Sequence, residues 1–220
     1  IAYFQSFTNT YGNVDYLEKI FTEAINHPDI VCLSIGTRPD CLPDDVIDLL
    51  NRLNKIKPVC IELGLQTIHE DTATYINRGY TLNIFDDAVS KLNAIGVEVI
   101  VHLILGLPYE TESDILESVS YVCNKPISGI KLQLLHILKN TPLEKEYLLN
   151  KFHVFSLEEY ATLLGKCICT IPKNIVIHRI TGDGPKSLLI EPQWSGNKKL
   201  VLNYINKYFN DMDIIQGKYL

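Results

Sequence analysis

Ile61-Glu-Leu-Gly-Leu-Gln66 and, twelve positions after its glutamine, Asn77-Arg-Gly79 form the stretch on which the fold turns. An apolar run ends there in a polar amide, and a helix-length interval then leads to an arginine–glycine turn. The same grammar returns in His102-Leu-Ile-Leu-Gly-Leu-Pro108. Polar side chains at several strand ends are how a parallel barrel builds a small-molecule site on its rim. Working outward, short apolar runs recur at Ile1–Phe4, Ile30–Ile35, Val59–Leu63, Val97–Leu105, Ile130–Leu135 and Ile175–Ile177. Each is nearly continuous, as expected of strands buried on both faces.

Helices with readable ends fill the gaps. Leu17, Ile20, Phe21 and Ala24 form one stripe after Asn13, an N-cap residue type. Pro43 and the pair Asp44 and Asp45 open a second helix carrying Val46, Leu49, Leu50 and Leu53. Gly79 and Gly96 follow helical segments where a left-handed cap is wanted. Ser156-Leu-Glu-Glu159 reads as a capping box. A last helix near Lys198–Phe209 is expected to lay Leu200, Val201, Tyr204, Ile205 and Tyr208 on the body. Repeated β-α units call for right-handed crossovers and a parallel sheet. They are too few for a closed eight-fold barrel; an open or incomplete α/β barrel fits better than a flat doubly wound sheet, although periodicity alone does not separate the two.

Composition removes several classes. The 220 residues are 46% hydrophobic, enough for one core, and residues 1–220 are expected to form a single domain. Within it, residues 1–140 are expected as the barrel body and 141–220 as an extension packed on it. Mean hydropathy is +0.07, and no apolar run reaches the ~18–20 residues of a membrane span. A net charge of −6 counts against broad coating of nucleic acid. Cys32, Cys41, Cys60, Cys123, Cys167 and Cys169 are scattered in apolar surroundings, as reduced thiols of a cytoplasmic protein would be. None has the spacing of a metal site.

The strand ends supply the candidate chemistry. Gln5-Ser-Phe-Thr-Asn-Thr10 offers hydroxyls and carbonyls to an ammonium group, or amides to an anion; an ordinary polar loop would look the same. Arg38 and Asp40 follow the second run and could equally pair with each other. Glu62 and Gly64 share a strand face that Gln66 continues, and a buried glutamate there needs a partner. Arg78, at a helix carboxyl end, has a structural explanation as well as a functional one. His102 interrupts an apolar strand. On the next strand Lys131 and Gln133 alternate with apolar neighbours ahead of His136, and His178-Arg179 closes the last run before Asp183.

These residues together resemble the radical S-adenosylmethionine (SAM) superfamily, in the branch of oxygen-independent coproporphyrinogen dehydrogenase and the Elongator catalytic subunit. A mostly bacterial family of uncharacterised radical SAM proteins is more similar still. The likeness is carried by Tyr3-Phe-Gln-Ser-Phe-Thr-Asn-Thr-Tyr11, Ile35-Gly-Thr-Arg-Pro-Asp-Cys41, Glu62-Leu-Gly-Leu-Gln-Thr67, Asn77-Arg-Gly79, His178-Arg-Ile-Thr-Gly-Asp183 and Gln216-Gly217. It implies a (β/α)6 partial barrel, a [4Fe-4S] cluster and SAM cleaved reductively to a 5′-deoxyadenosyl radical. It places Gln5-Ser-Phe-Thr8, without the glycines or the glutamate, where a Gly-Gly-Glu-like turn receives the SAM amino group, with Thr8, Asn9 and Thr10 the candidates for that contact, Gln66 at the ribose and Arg78 at the SAM carboxylate. His102 stands where the coproporphyrinogen enzyme has an aspartate, Leu105–Pro108 matches an adenine-flanking turn, and Gly36 replaces a glutamate of some relatives. The substrate is expected near Arg38, Lys131, Gln133, His136, Arg179 and Asp183.

The resemblance also implies an electron donor such as flavodoxin or ferredoxin, and admits tRNA as a substrate. The CxxxCxxC segment is not in this sequence, whose first residue lies inside an apolar run and whose only methionine is Met212. The expectation is therefore a piece lacking its first βα unit and inactive alone, with the cluster not bound by its own cysteines. Two other readings remain: a cluster-free barrel binding an anionic metabolite through Arg38, Arg78 and Arg179, and a partner-binding module without catalysis.

Overall fold

The computed structural model describes residues 1–5, 7–150, 152–182 and 184–220. Its elements follow as β1 (Ala2–Phe4), α1 (Val14–Asn26), β2 (Leu33–Thr37), α2 (Asp44–Asn54), β3 (Val59–Gln66), α3 (Glu70–Tyr75), α4 (Leu82–Ala94) and β4 (Glu98–Leu105). After these come α5 (Glu112–Cys123), β5 (Gly129–Leu134), β6 (Ile137–Leu138), α6 (Pro142–Asn150), α7 (Leu157–Thr170), β7 (Val176–Arg179), β8 (Leu189–Glu191) and α8 (Lys198–Asp211). Six strands form one sheet in the order β1-β2-β3-β4-β5-β7, and β6 pairs with β8 in a separate antiparallel ribbon. β1, β2 and β3 pair in parallel, with Tyr3 opposite Ser34 and Gly36 opposite Glu62.

The chain divides into two compact units, Ile1–His102 with Asn124–Ile130, and Leu103–Cys123 with Lys131–Leu220. In the first, Leu33, Ile35, Ile61, Leu63 and Leu65 are wholly buried, as are Phe21 and Ile25 of α1 and Leu49 and Leu50 of α2. The helix ends explain why these segments start where they do. The Asn13 side chain accepts from the backbone of Asp15 and Tyr16, and Asp44 and Asp45 stand in the first turn of α2. Gly96, at φ +69°, turns the chain out of α4. Two residues after α3 have left-handed backbone, Asn77 at φ +55° and Gly79 at φ +82°, as expected of the glycine. An amide-bearing side chain tolerates that conformation at Asn77, and Gly79 also clears space: a Cβ there would come within 3.2 Å of Arg38 Nη2.

In the second unit α7 buries Tyr160, Leu164, Cys167 and Cys169. The Tyr160 hydroxyl donates to Ile180 O at 2.9 Å, and burial pushes that phenol well above its ordinary pKa. α8 contributes only Val201 and Ile205 to the interior; Leu200 and Tyr204 are exposed, so the expected five-residue stripe is narrower than its periodicity suggested. None of the six cysteines is in a disulfide. No described helix is long and apolar enough to cross a membrane.

The capping box is present in full: Glu159 N donates to Ser156 Oγ, and Ser156 N donates to Glu159 Oε2 at 2.8 Å. Ser156→Ala is expected to cost about 1 kcal/mol of stability in urea unfolding. The bond from Ser156 N holds the Glu159 carboxyl below its ordinary pKa. A depressed folded pKa stabilises the fold above the unfolded value and ceases to do so as pH falls through the folded one. Ser156→Ala keeps that backbone donor, so the variant that reads the carboxylate is Glu159→Ala: its penalty should shrink in acid, and an equal penalty at pH 7 and at pH 3 would show that the charge takes no part.

Candidate functional site

The first unit gathers its polar side chains on one face of the sheet. Glu62, only 5% exposed, is the centre. Its Oε2 accepts from the Tyr3 hydroxyl at 2.6 Å and lies 2.9 Å from His102 Nε2, while Oε1 accepts from the Ser34 hydroxyl at 3.2 Å. Tyr3, Ser34, Glu62 and His102 belong to β1, β2, β3 and β4, so one carboxylate joins four consecutive strands. A carboxylate out of water is tolerable only with such partners.

Two residues on, Gly64 shares that face. A Cβ at Gly64 would stand 2.6 Å from Gln66 Nε2, so the glutamine amide folds back over the glycine. Gln66 closes β3 at φ +68°, a left-handed conformation that a non-glycine residue adopts at a cost. The Tyr80 hydroxyl donates to Gly64 O, and burial keeps that phenol protonated despite the opposing pull of Arg78 and Arg38.

Arg78 is buried, 4% exposed, and all three guanidinium nitrogens donate to protein acceptors. Nε reaches Tyr80 O at 2.9 Å, Nη1 reaches Thr67 O at 2.7 Å, and Nη2 lies 3.2 Å from both Glu70 carboxylate oxygens. Its guanidinium carbon sits 4.8 Å from the Tyr80 ring centroid, and that of Arg38 sits 5.2 Å from it. Arg38 makes a bidentate pair with Asp40 at 2.9 and 2.7 Å. Both arginines are thus neutralised within this unit, which counts against the anion-binding alternative.

At the ends of β1 and β2, Asn9 Nδ2 donates to Phe4 O and Gly36 O, and Asn9 N donates to Gly36 O. Thr10 is buried, with its hydroxyl 2.5 Å from that of Thr37 and donating to Cys41 O. Thr8 is half-buried beside them, and Ser6 of the same turn lies outside the described residues. Asn9 and Thr10 thus have structural duties, tying two strand ends.

The expected substrate residues other than Arg38 belong to the second unit. Lys131 is buried on β5, and Gln133, two residues along the same face, is half-buried. The His136 ring is wedged between glycines: a Cβ at Gly182 would stand 2.4 Å from its Nε2, and one at Gly184 would stand 2.7 Å from Nδ1. Arg179 ends β7 half-buried, and Asp183 lies outside the described residues. A cavity of about 400 Å³ in this unit is lined by Glu110, Glu112, Phe155, Glu158, Glu159, Thr162 and Leu163, none of them expected. Tyr3, Ser34 and Tyr80 were also missed. Polar residues inside otherwise apolar strands were the available signal for the first two.

This sheet, with its polar strand-end face, is the incomplete parallel barrel of one enzyme superfamily. The pattern described as "Radical SAM superfamily" matches residues 4–122, and "Radical_SAM C-terminal domain" matches 127–211. The chain belongs to the radical SAM superfamily, whose members use SAM and a [4Fe-4S] cluster. Among individual relatives, protein YtqA of Bacillus subtilis (strain 168) is 45% identical over 219 residues, covering 100% of this chain and 68% of that protein. The archaeal Methanocaldococcus infernus Elp3 with an N-terminal deletion shares the fold at a TM-score of 0.81 and 18% identity. That match covers 97% of this chain, which spans 54% of the Elp3 chain. Coproporphyrinogen III oxidase (HemN) from Escherichia coli aligns at a TM-score of 0.52 and 18% identity, over 66% of this chain and 37% of that one.

Proposed function

We propose that this chain is the SAM-binding body of a radical SAM enzyme, and that the nucleoside of SAM is held on the face carrying Glu62, Gln66 and His102. The observation that carries this is the folded-back Gln66 amide, kept at φ +68° over a glycine whose Cβ would evict it. A strained side chain beside a cleared backbone is what close approach of a flat ligand calls for. Gln66 supplies both an amide donor and an acceptor for ribose hydroxyls, and His102 supplies a ring nitrogen. The turn of Thr8, Asn9 and Thr10 would receive the amino group. Arg78 would meet the carboxylate only by giving up the Glu70 carboxylate, whose side chain is 50% exposed.

The iron–sulfur cluster does not fit this chain's own residues. Among the described residues, no three cysteine thiols come close enough together to hold a metal ion. Bound SAM supplies the precursor of a carbon-centred radical; this chain's contribution is to orient the nucleoside and keep water from it. A flavodoxin- or ferredoxin-like electron donor and a small-molecule or tRNA substrate complete the reading.

Calorimetric titration with S-adenosylhomocysteine tests it. Gln66→Ala and His102→Ala should each weaken binding about tenfold, the weight of one or two hydrogen bonds. Equal affinity in both variants, or heat from inorganic phosphate and none from S-adenosylhomocysteine, would reject the site.

A further inference from the structure

The buried carboxylate suggests more than shared strand packing. We propose that Glu62 is a positioning residue for His102: it fixes the imidazole with its proton on Nε2 and so decides what the ring offers a ligand. This rests on the reading of His102 as a nucleoside contact. The argument starts from donor counting. An ionised carboxylate only accepts. Tyr3 and Ser34 bring hydroxyl protons to it, at 2.6 and 3.2 Å, so the third partner, 2.9 Å away, must also donate. That partner is His102 Nε2, and a donor there is Nε2–H. In a histidine the hydrogen bond at one nitrogen sets the character of the other, so with Nε2–H on Glu62 it is Nδ1 that meets a ligand, as an acceptor in the neutral ring and a donor in the imidazolium. Either suits a ribose hydroxyl, which both donates and accepts.

The environment makes Glu62 a firm anchor. Its side chain is 6% exposed against 21% for His102, so the buried member of the pair directs the accessible one. Tyr3 and Ser34 are register partners on adjacent strands, which pins the carboxylate from the side opposite β4. Outer partners of this kind orient imidazoles in many sites, and the bond to a charged acceptor is among the stronger ones.

Long-range nitrogen–proton correlation spectra of the histidine-labelled chain test this directly. The wild type should show His102 protonated at Nε2, with that proton shifted far downfield by the carboxylate. Glu62→Leu should lose the single-tautomer pattern and weaken S-adenosylhomocysteine binding about tenfold. Glu62→Gln keeps an acceptor oxygen in place, so it should keep the tautomer, move the Nε2 proton upfield and recover most of the affinity. Should Glu62→Leu not fold, the upfield movement in Glu62→Gln decides alone. A His102 spectrum unchanged in the variants overturns the positioning role whatever the ligand does. If the spectra change as stated and S-adenosylhomocysteine binds wild type and His102→Ala alike, the nucleoside reading falls, and the proposal resting on it falls with it.

Discussion

Replacing Arg78 by alanine is expected to lower the stability of the chain by about 2–4 kcal/mol, more than any other single change at the strand ends. Thr67 O and Tyr80 O lose their charged donor, and a guanidinium packed on the Tyr80 ring leaves a hole. Glu70 loses its partner too, but its carboxylate is half-exposed and water takes over there, so that share is small. Arg78→Lys should recover only part, because one ammonium cannot reach three acceptors arranged around a planar fork. Urea unfolding of both variants beside Glu70→Ala gives the measurement. A loss below about 0.5 kcal/mol for Arg78→Ala would mean the residue is not a brace, and its weight would shift to ligand binding.

Gly64→Ala should do the opposite, leaving stability nearly intact and lowering S-adenosylhomocysteine affinity about tenfold. Gly64 does not have a positive φ, so alanine fits its backbone. The atom in the way is Gln66 Nε2, the free end of a flexible side chain, which moves aside cheaply. The cost falls on Gln66, displaced without being mutated. Because both changes remove the same contact, the double variant Gly64→Ala with Gln66→Ala should bind no worse than either single one. Additive losses would place the two residues in separate roles.

Much of the sheet was legible because parallel strands buried on both faces write themselves as unbroken apolar runs. All six such runs became the six strands of the sheet. Their ends were less legible. β3 continues through Gly64 and Gln66, where a small and a polar residue break the apolar signal. β2 starts at Leu33 because Lys57 Nζ takes Ile30 O, at 2.6 Å, and His27 O into a turn. The ribbon of β6 and β8 was invisible, since its partners are separated by some fifty residues and carry no shared periodicity. At the site, the need of Glu62 for a partner was plain from burial alone. Which residues met it was not, because Tyr3, Ser34 and His102 are joined by register, a property of strand pairing rather than of any one segment.

That four-strand junction bears on how faithfully the sheet assembles. Apolar runs of valine, isoleucine and leucine slide past one another at little penalty, since every offset still covers greasy surface. With Tyr3, Ser34, Glu62 and His102 meeting at one carboxylate, a slip of one residue would turn partners to opposite faces and strand a charge in hydrocarbon. The polar hub thus discriminates among otherwise similar alignments, acting as a proofreading mark within a nearly featureless hydrophobic interior.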